Sequence, residues 1–172
     1  MSDVIIVEKM KKSDWNAVLN IYIEGMETKN ATFETKKPEW ESWEDWDKDH
    51  LTTCRLVVKE GAKVLGWAAL LPISSRQFYS GVAEVSIYLD KDSLGKGIGS
   101  MLMESLIVQS EKEGFWMLQS EIFPENIGSI RLHDKFSFRK VGVREKIGKM
   151  EGMDNGWRDV VLMERRSKKV GV

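Results

Sequence analysis

The part of the chain that most limits its fold is a strand that runs through a glycine-spaced turn into an amphipathic helix. Val82–Leu89 puts Val82, Glu84, Ser86 and Tyr88 on one face and Ala83, Val85, Ile87 and Leu89 on the other, with the period of two of a β-strand. Asp90–Leu94 leads into Gly95-Lys96-Gly97-Ile98-Gly99-Ser100. Ile98, Leu102 and Leu106, with Met101, Ser105 and Val108, then form a broad apolar stripe on a helix reaching about Glu113. Such a turn leaves backbone N–H groups pointing outward at the positive end of the helix dipole, a setting that suits a pyrophosphate. Glycines there let the backbone approach the guest closely. A Walker loop would need Gly-Lys-Ser/Thr after its gap, whereas the chain has Gly97-Ile98-Gly99-Ser100. A dinucleotide fingerprint needs G-x-G-x-x-G near the first strand; the spacing here is G-x-G-x-G, in mid-chain.

Around this junction the sequence predicts the order β-α-α-β-β-β-α-β-α-β-β, which means an α/β mixed sheet with helices on both faces. Ile5–Met10 reads as a strand. Ser13 is the expected N-cap of a helix carrying Trp15, Val18, Leu19, Tyr22, Ile23 and Met26. Residues 30–37 are polar and irregular, and Pro38 suits the first turn of a second helix with Trp40, Trp43 and His50 or Leu51 along one side. Leu56–Val58 and Val64–Leu71 flank Gly61-Ala62 as a hairpin. Met117–Ile122, a short helix Asn126–Lys135, and strands Arg139–Ile147 and Trp157–Glu164 complete the sheet. Residues 1–166 form one domain, and residues 167–172 are expected to be a flexible tail.

Composition removes several function classes. A net charge of −1 argues against a nucleic-acid binder. The longest apolar run, around Gly66–Ile73, is far short of the ~20 residues a membrane span needs, and the start lacks a basic, then apolar, leader; the expectation is a cytoplasmic protein. Cys54, the single cysteine, excludes an internal disulfide and is expected in the core. Two histidines, His50 and His133, without fitting carboxylate spacing speak against a catalytic metal. Trp40, Trp43 and Trp46 are expected to pack the helix and wall a pocket.

Leu94–Ser100 resembles the coenzyme A loop of the GNAT N-acetyltransferases, Q/R-x-x-G-x-G/A, with Leu94 standing where Arg or Gln is usual. Ala83–Leu89 is similar to the E-x-S-x-Y-V strand of the phosphinothricin acetyltransferase subgroup. Asn126, Ser129, Leu132 and His133 are similar to its N-x-x-S-x-x-L-H helix, Gly156–Val160 to its G-W-x-D-V ending, and Ala31–Glu34 to its early substrate loop. Ser137-Phe138 replaces the usual Gly-Phe. Of two arginines common before the fourth strand, Arg76 matches one and Ser80 occupies the place of the other.

The resemblance implies a GNAT fold with splayed fourth and fifth strands and acetyl-CoA as co-substrate. It gives Glu84 the role of general base. Acetyl transfer needs a neutral amine, and an amine of pKa ~9 must give up about 2.7 kcal/mol at pH 7 to supply one. A backbone N–H near Tyr88 would hold the oxyanion. Ile87, Tyr88 and Leu89, the Gly95, Lys96, Gly97, Ile98, Gly99 and Ser100 turn, and Asn126 with Ser129 would bind the cofactor. Phe33, Glu34 and Arg76 would join Glu84 at the substrate, and His133 or Tyr88 would serve the departing thiolate. The implied acceptor is a small-molecule amine, an amino acid or an analogue such as phosphinothricin or methionine sulfoximine, and the implied assembly a homodimer. Alternatives are another amine on the same fold (a polyamine, an aminoglycoside or a protein N-terminus) or an acyl-CoA-binding module without turnover.

Overall fold

The computed structural model describes residues 3–36, 38 and 40–172. Seven strands form one sheet: β1 Ile5–Lys9, β2 Leu56–Glu60, β3 Lys63–Pro72, β4 Val82–Leu89, β5 Met117–Ile122, β6 Arg139–Lys149 and β7 Trp157–Arg166. Their order is β1-β2-β3-β4-β5-β7-β6, and only β4 and β5 run parallel. The described helices are α1 Trp15–Glu27, α2 Trp43–Asp49, α3 Ile98–Lys112 and α4 Ile127–Lys135.

The period-two patterns of the central strands are what place the helices. Leu56, Val58, Ala68, Leu70, Ala83 and Val85 point to one side, where they bury Ile98, Leu102 and Leu106 of α3. Val57, Trp67 and Ala69 point to the other, against Val18, Ile21 and Tyr22 of α1 and Trp46 of α2. Both faces are therefore closed, the expected mixed sheet between helical layers. Cys54 is buried in the α3-side core, with a left-handed backbone at φ 59°.

Two helix starts differ from the sequence expectation. A 3-10 turn, Lys12–Asp14, precedes α1, so Ser13 is not its cap. Asp14 occupies the cap position of α1 without a side-chain cap bond to it; its carboxylate instead closes the 3-10 turn, accepting from the Lys11 amide at 2.8 Å, and is anchored by Lys59 Nζ, also at 2.8 Å. The second helix begins at Trp43 rather than near Pro38. Ser42 Oγ accepts from the Asp45 amide at 3.3 Å, and the Asp45 carboxylate accepts in return from the Ser42 hydroxyl and the Glu41 amide. That Ser-x-x-Asp reciprocity outweighs proline's preference for a first turn. Trp40 thus lies outside the helix but still reaches it, donating from Nε1 to Asp49 at 2.7 Å. Beyond β7, Ser167 is buried and its hydroxyl donates to Glu111, while Arg166 Nη2 donates to the Gly171 carbonyl at 2.6 Å.

For the site, the decisive feature is how briefly β4 and β5 stay together. They pair only at Val82↔Met117, Ala83↔Leu118 and Glu84↔Gln119. Beyond Glu84 the strands part, and Val85–Leu89 face Ser120–Ile122 across a gap.

Candidate active site

That gap holds a cavity of about 250 Å³. From β4 it takes Glu84, Ser86, Ile87 and Tyr88; from β5, Ser120 and Glu121; Phe33, Phe123, Asn126, Ser129, His133 and Val160 close it. Phe33 packs edge-on against Phe123 with ring centroids 4.8 Å apart. Arg158 holds this wall in place: its guanidinium lies 3.8 Å over the Phe123 ring and donates to the Lys29 carbonyl at 2.7 Å.

Burial pushes the Glu84 carboxyl up to about 7, helped by the negative charge of Glu121 and partly offset by Arg144. A carboxyl with that value is half ionised at neutral pH. It can accept a proton from an ammonium without being locked in either state. Glu121 itself is paired with Arg144, whose Nη1 donates to its Oε1 at 2.7 Å.

Tyr88 stands deeper in the gap. Its ring stacks on Trp67 at 5.1 Å and meets Tyr22 edge-on at 4.9 Å. Gly25 makes room for it: a Cβ there would sit 3.1 Å from the Tyr88 ring. Burial raises the pKa of the phenol, so Tyr88 stays protonated. Tyr22 in turn donates to Glu34 Oε2 at 2.6 Å. Glu34 is thereby engaged behind the cavity wall.

His133 is buried, and its partners fix its tautomer. Nδ1 lies 2.7 Å from the Ser129 carbonyl oxygen, which can only accept, so Nδ1 carries the proton. Nε2 then accepts from the Ser120 hydroxyl at 2.7 Å. Burial lowers its pKa further, which keeps the ring neutral.

A second, longer cavity of about 570 Å³ joins the first at Ala31, Ile87, Tyr88, Asn126 and Ser129. It runs past Leu89 and Leu94 to Gly95, Gly97, Gly99 and Ser100. Gly95 and Gly97 have φ 71° and 80°, a left-handed backbone that glycine adopts without strain, and a Cβ on either would meet nothing within 4 Å. Gly97 is the N-cap of α3 and offers no side-chain cap, so the first-turn N–H groups face the groove end. Lys135 adds positive charge there, donating to Ser100 Oγ at 2.9 Å.

The two cavities bring together most of the residues singled out from sequence. Ile87, Tyr88, Leu89, Gly95, Gly97, Gly99, Ser100, Asn126 and Ser129 line the groove; Phe33, Glu84, Tyr88 and His133 line the smaller cavity. Ile98 instead turns its side chain into the core, and the Lys96 side chain is exposed; neither lines the groove, where only their backbone would serve. Asn126 both caps α4, accepting from the Ser129 amide at 3.2 Å, and donates to the Asn30 carbonyl at 3.1 Å. Glu34 and Arg76 are not among the lining residues; Arg76 is exposed, its guanidinium 6.0 Å from the Phe78 ring. Sequence reasoning missed Glu121, Ser120 and Arg144. The one available signal was the splay itself, which exposes whatever polar residues end β5.

His50 lines neither cavity. It stacks on Trp46 with centroids 4.1 Å apart, its Nδ1 on the Trp46 carbonyl, and burial lowers its pKa to about 4.

A model of the acetyltransferase (GNAT) family matches residues 15–138. The phosphinothricin N-acetyltransferase of Alcaligenes faecalis is 28% identical over 92% of this chain and 81% of its own length. An L-methionine sulfoximine/L-methionine sulfone acetyltransferase of Pseudomonas paraeruginosa is 30% identical over 63% of this chain and 62% of its own. Among solved structures, a phosphinothricin acetyltransferase from Sinorhizobium meliloti in complex with acetyl-CoA superposes with a TM-score of 0.85 at 26% identity, covering 97% of this chain and 90% of that one.

Proposed function

The chain belongs to the acetyltransferase (GNAT) family, and from that premise we propose that it moves the acetyl group of acetyl-CoA to the amine of a small, amino-acid-like acceptor such as phosphinothricin or methionine sulfoximine. One observation carries the proposal. Where β4 and β5 part, a cavity with a carboxyl poised near neutrality opens onto a groove that ends at an open glycine turn.

Acetyl-CoA supplies a thioester carbonyl for attack; the rest is the work of this chain. The Gly95–Ser100 turn and the α3 N-terminus offer N–H groups to the pyrophosphate. Ile87 and Leu89, unpaired with β5, offer backbone groups to the pantetheine arm as a missing strand would. Ionised Glu84 removes a proton from the acceptor ammonium. The freed amine attacks the thioester carbon, the C–N bond forms, the C–S bond breaks, and the thiolate leaves; the nitrogen sheds its second proton as the amide forms, which offsets the one the thiolate takes up. Tyr88, kept protonated, is the O–H for that thiolate. His133 has its one proton on the Ser129 carbonyl and acts by holding Ser120 and Ser129.

The test is thiol release from acetyl-CoA against a panel of phosphinothricin, methionine sulfoximine, common amino acids, spermidine and an aminoglycoside. We expect turnover with the amino-acid analogues, with kcat/KM rising with pH through about 7 as Glu84 ionises. Turnover confined to spermidine or the aminoglycoside would overturn the acceptor class. Bound acetyl-CoA without turnover of any amine would overturn the enzymatic reading. The proposal places the enzyme in the cytoplasm, as a homodimer in which edge strand β6, with Val141, Val143 and Ile147 exposed, is the apolar face for the second copy. Sedimentation at micromolar concentration checks the dimer.

A further inference from the structure

The charges around the acceptor cavity are one-sided. Among the described residues its lining includes two carboxylates, Glu84 and Glu121, and no lysine or arginine. An amino-acid-like acceptor brings a carboxylate beside its amine. Placed next to two acidic side chains, that group is repelled unless a cation meets it. The loop before β4, where such a cation was expected, does not provide it: Ser80 is uncharged, and Arg76 faces solvent beside Phe78.

Strand register points to another residue. Glu84 pairs with Gln119, so Glu121, two residues on, shares its face. Glu121 is opposite Leu162 of β7, and Val160, again two residues away on that face, is opposite Arg144 of β6. Arg144 therefore stands on the catalytic face of the sheet, flanked by two cavity-lining residues, Val160 and Glu121. Its hold on Glu121 uses one of five guanidinium N–H donors, and its side chain is 47% exposed. A free edge of the fork remains, the geometry that grips a carboxylate in two parallel hydrogen bonds. Resting on the acetyltransfer reading above, we infer that Arg144 binds the carboxylate of the acceptor, with Glu121 as its resting partner.

Arg144 thereby sets specificity without touching the reacting bonds. Glu121 keeps the guanidinium aimed at the rim while the site is empty, and the incoming carboxylate takes the fork's other edge. The amine beside that carboxylate is then presented to Glu84 across the same face of the sheet. The influence of Arg144 on the Glu84 carboxyl is independent support that the two lie within electrostatic reach.

The experiment compares methionine sulfone with its α-carboxamide as acceptors at pH 8.5, above the wild-type Glu84 value of about 7. The readout is the ratio of kcat/KM for acid over amide, in which differences of amine basicity cancel between variants. We expect Arg144→Gln to lower this ratio about 10–100-fold, the loss of a charge-assisted bidentate contact, and Arg144→Lys to recover part of it. Arg76→Gln should change the ratio less than about twofold. Glu121→Gln frees the guanidinium and should lower the KM of the acid. An unchanged ratio in Arg144→Gln, or a collapse in Arg76→Gln instead, overturns the assignment, as does a wild type that acetylates the amide but not the acid. A wild type that acetylates neither fails the acetyltransfer reading itself, a different result. Circular dichroism of each variant separates lost recognition from lost fold.

Discussion

The groove and the acceptor cavity meet at Tyr88 but are built from different materials. The groove ends in backbone: left-handed glycines, an α3 N-terminus without a side-chain cap, and the unpaired edge of β4. The cavity is built from side chains on separate strands and loops, Glu84, Glu121, Phe33, Phe123 and His133. Backbone groups are the same whatever the residue, so the groove can keep one ligand while its side chains vary. The cavity is remade by each substitution, so it is where acceptor choice resides. If the two parts are separable in this way, variants in one should leave the ligand of the other alone.

The largest expected effect lies in the cavity. Glu84→Gln removes the proposed base and should lower kcat/KM by about 10²–10⁴-fold at pH 8, with the Kd for acetyl-CoA unchanged within about twofold. Steady-state kinetics beside calorimetric titration measures both. A parallel loss of acetyl-CoA binding would break the comparison, since a cavity side chain would then be holding the groove's ligand.

The same substitution should stabilise the fold, because burial has made this carboxyl costly to ionise. Its pKa is raised to about 7, so its favourable contribution is complete below the usual carboxylate value and is lost as pH rises through 7. Glutamine has no charge to bury. The variant should match wild type in urea unfolding near pH 4, gain on it between pH 4.5 and 7, and lead by up to about 2–3 kcal/mol at pH 8. A gap independent of pH would mean that Glu84 is not the strained group of the cavity.

On the groove side, Gly97→Val puts a β-branched side chain at φ 80°, a strain of about 1–2 kcal/mol that the turn relieves by rotating its N–H groups away from the ligand. The KM for acetyl-CoA should rise about tenfold while that for the acceptor stays within about twofold. An equal rise in both would show that the turn also shapes the cavity.

This division of materials also explains what the sequence made legible. Gly95–Gly99 is contiguous, and its proposed role is carried by backbone, so its spacing stands out in the sequence. The alternation of β4 put Glu84, Ser86 and Tyr88 on one face, and that face is the one turned to the cavity. Arg144 is 60 residues from Glu84 in number and reaches the same face only through three strand pairings, which no local pattern encodes. Likewise His133 was legible as a motif residue, and its tautomer is set within α4 by the Ser129 carbonyl, but its contact with Ser120 comes from another strand. The start of α2 is decided locally: Pro38 suits a first turn, but the Ser42–Asp45 cap is stronger.

The smallest effect tests how far backbone alone accounts for the groove. Leu94 lines it and is 61% exposed, at the position where the family usually carries Arg or Gln. Leu94→Arg would set a guanidinium beside the N–H groups of Gly95–Ser100, within reach of the same phosphates. Such a contact is exposed, screened and entropically costly, so the gain should be modest, about two- to fivefold in acetyl-CoA affinity at low salt. Because the Debye length falls from about 10 Å at 0.1 M to about 3 Å at 1 M, the gain should vanish at high salt. A gain that survives 1 M salt would require a direct, desolvated contact and move part of the cofactor's grip from backbone to side chain. No gain at all would mean the glycine turn and the α3 N-terminus already saturate the pyrophosphate, the limit in which the groove's chemistry is independent of its side chains.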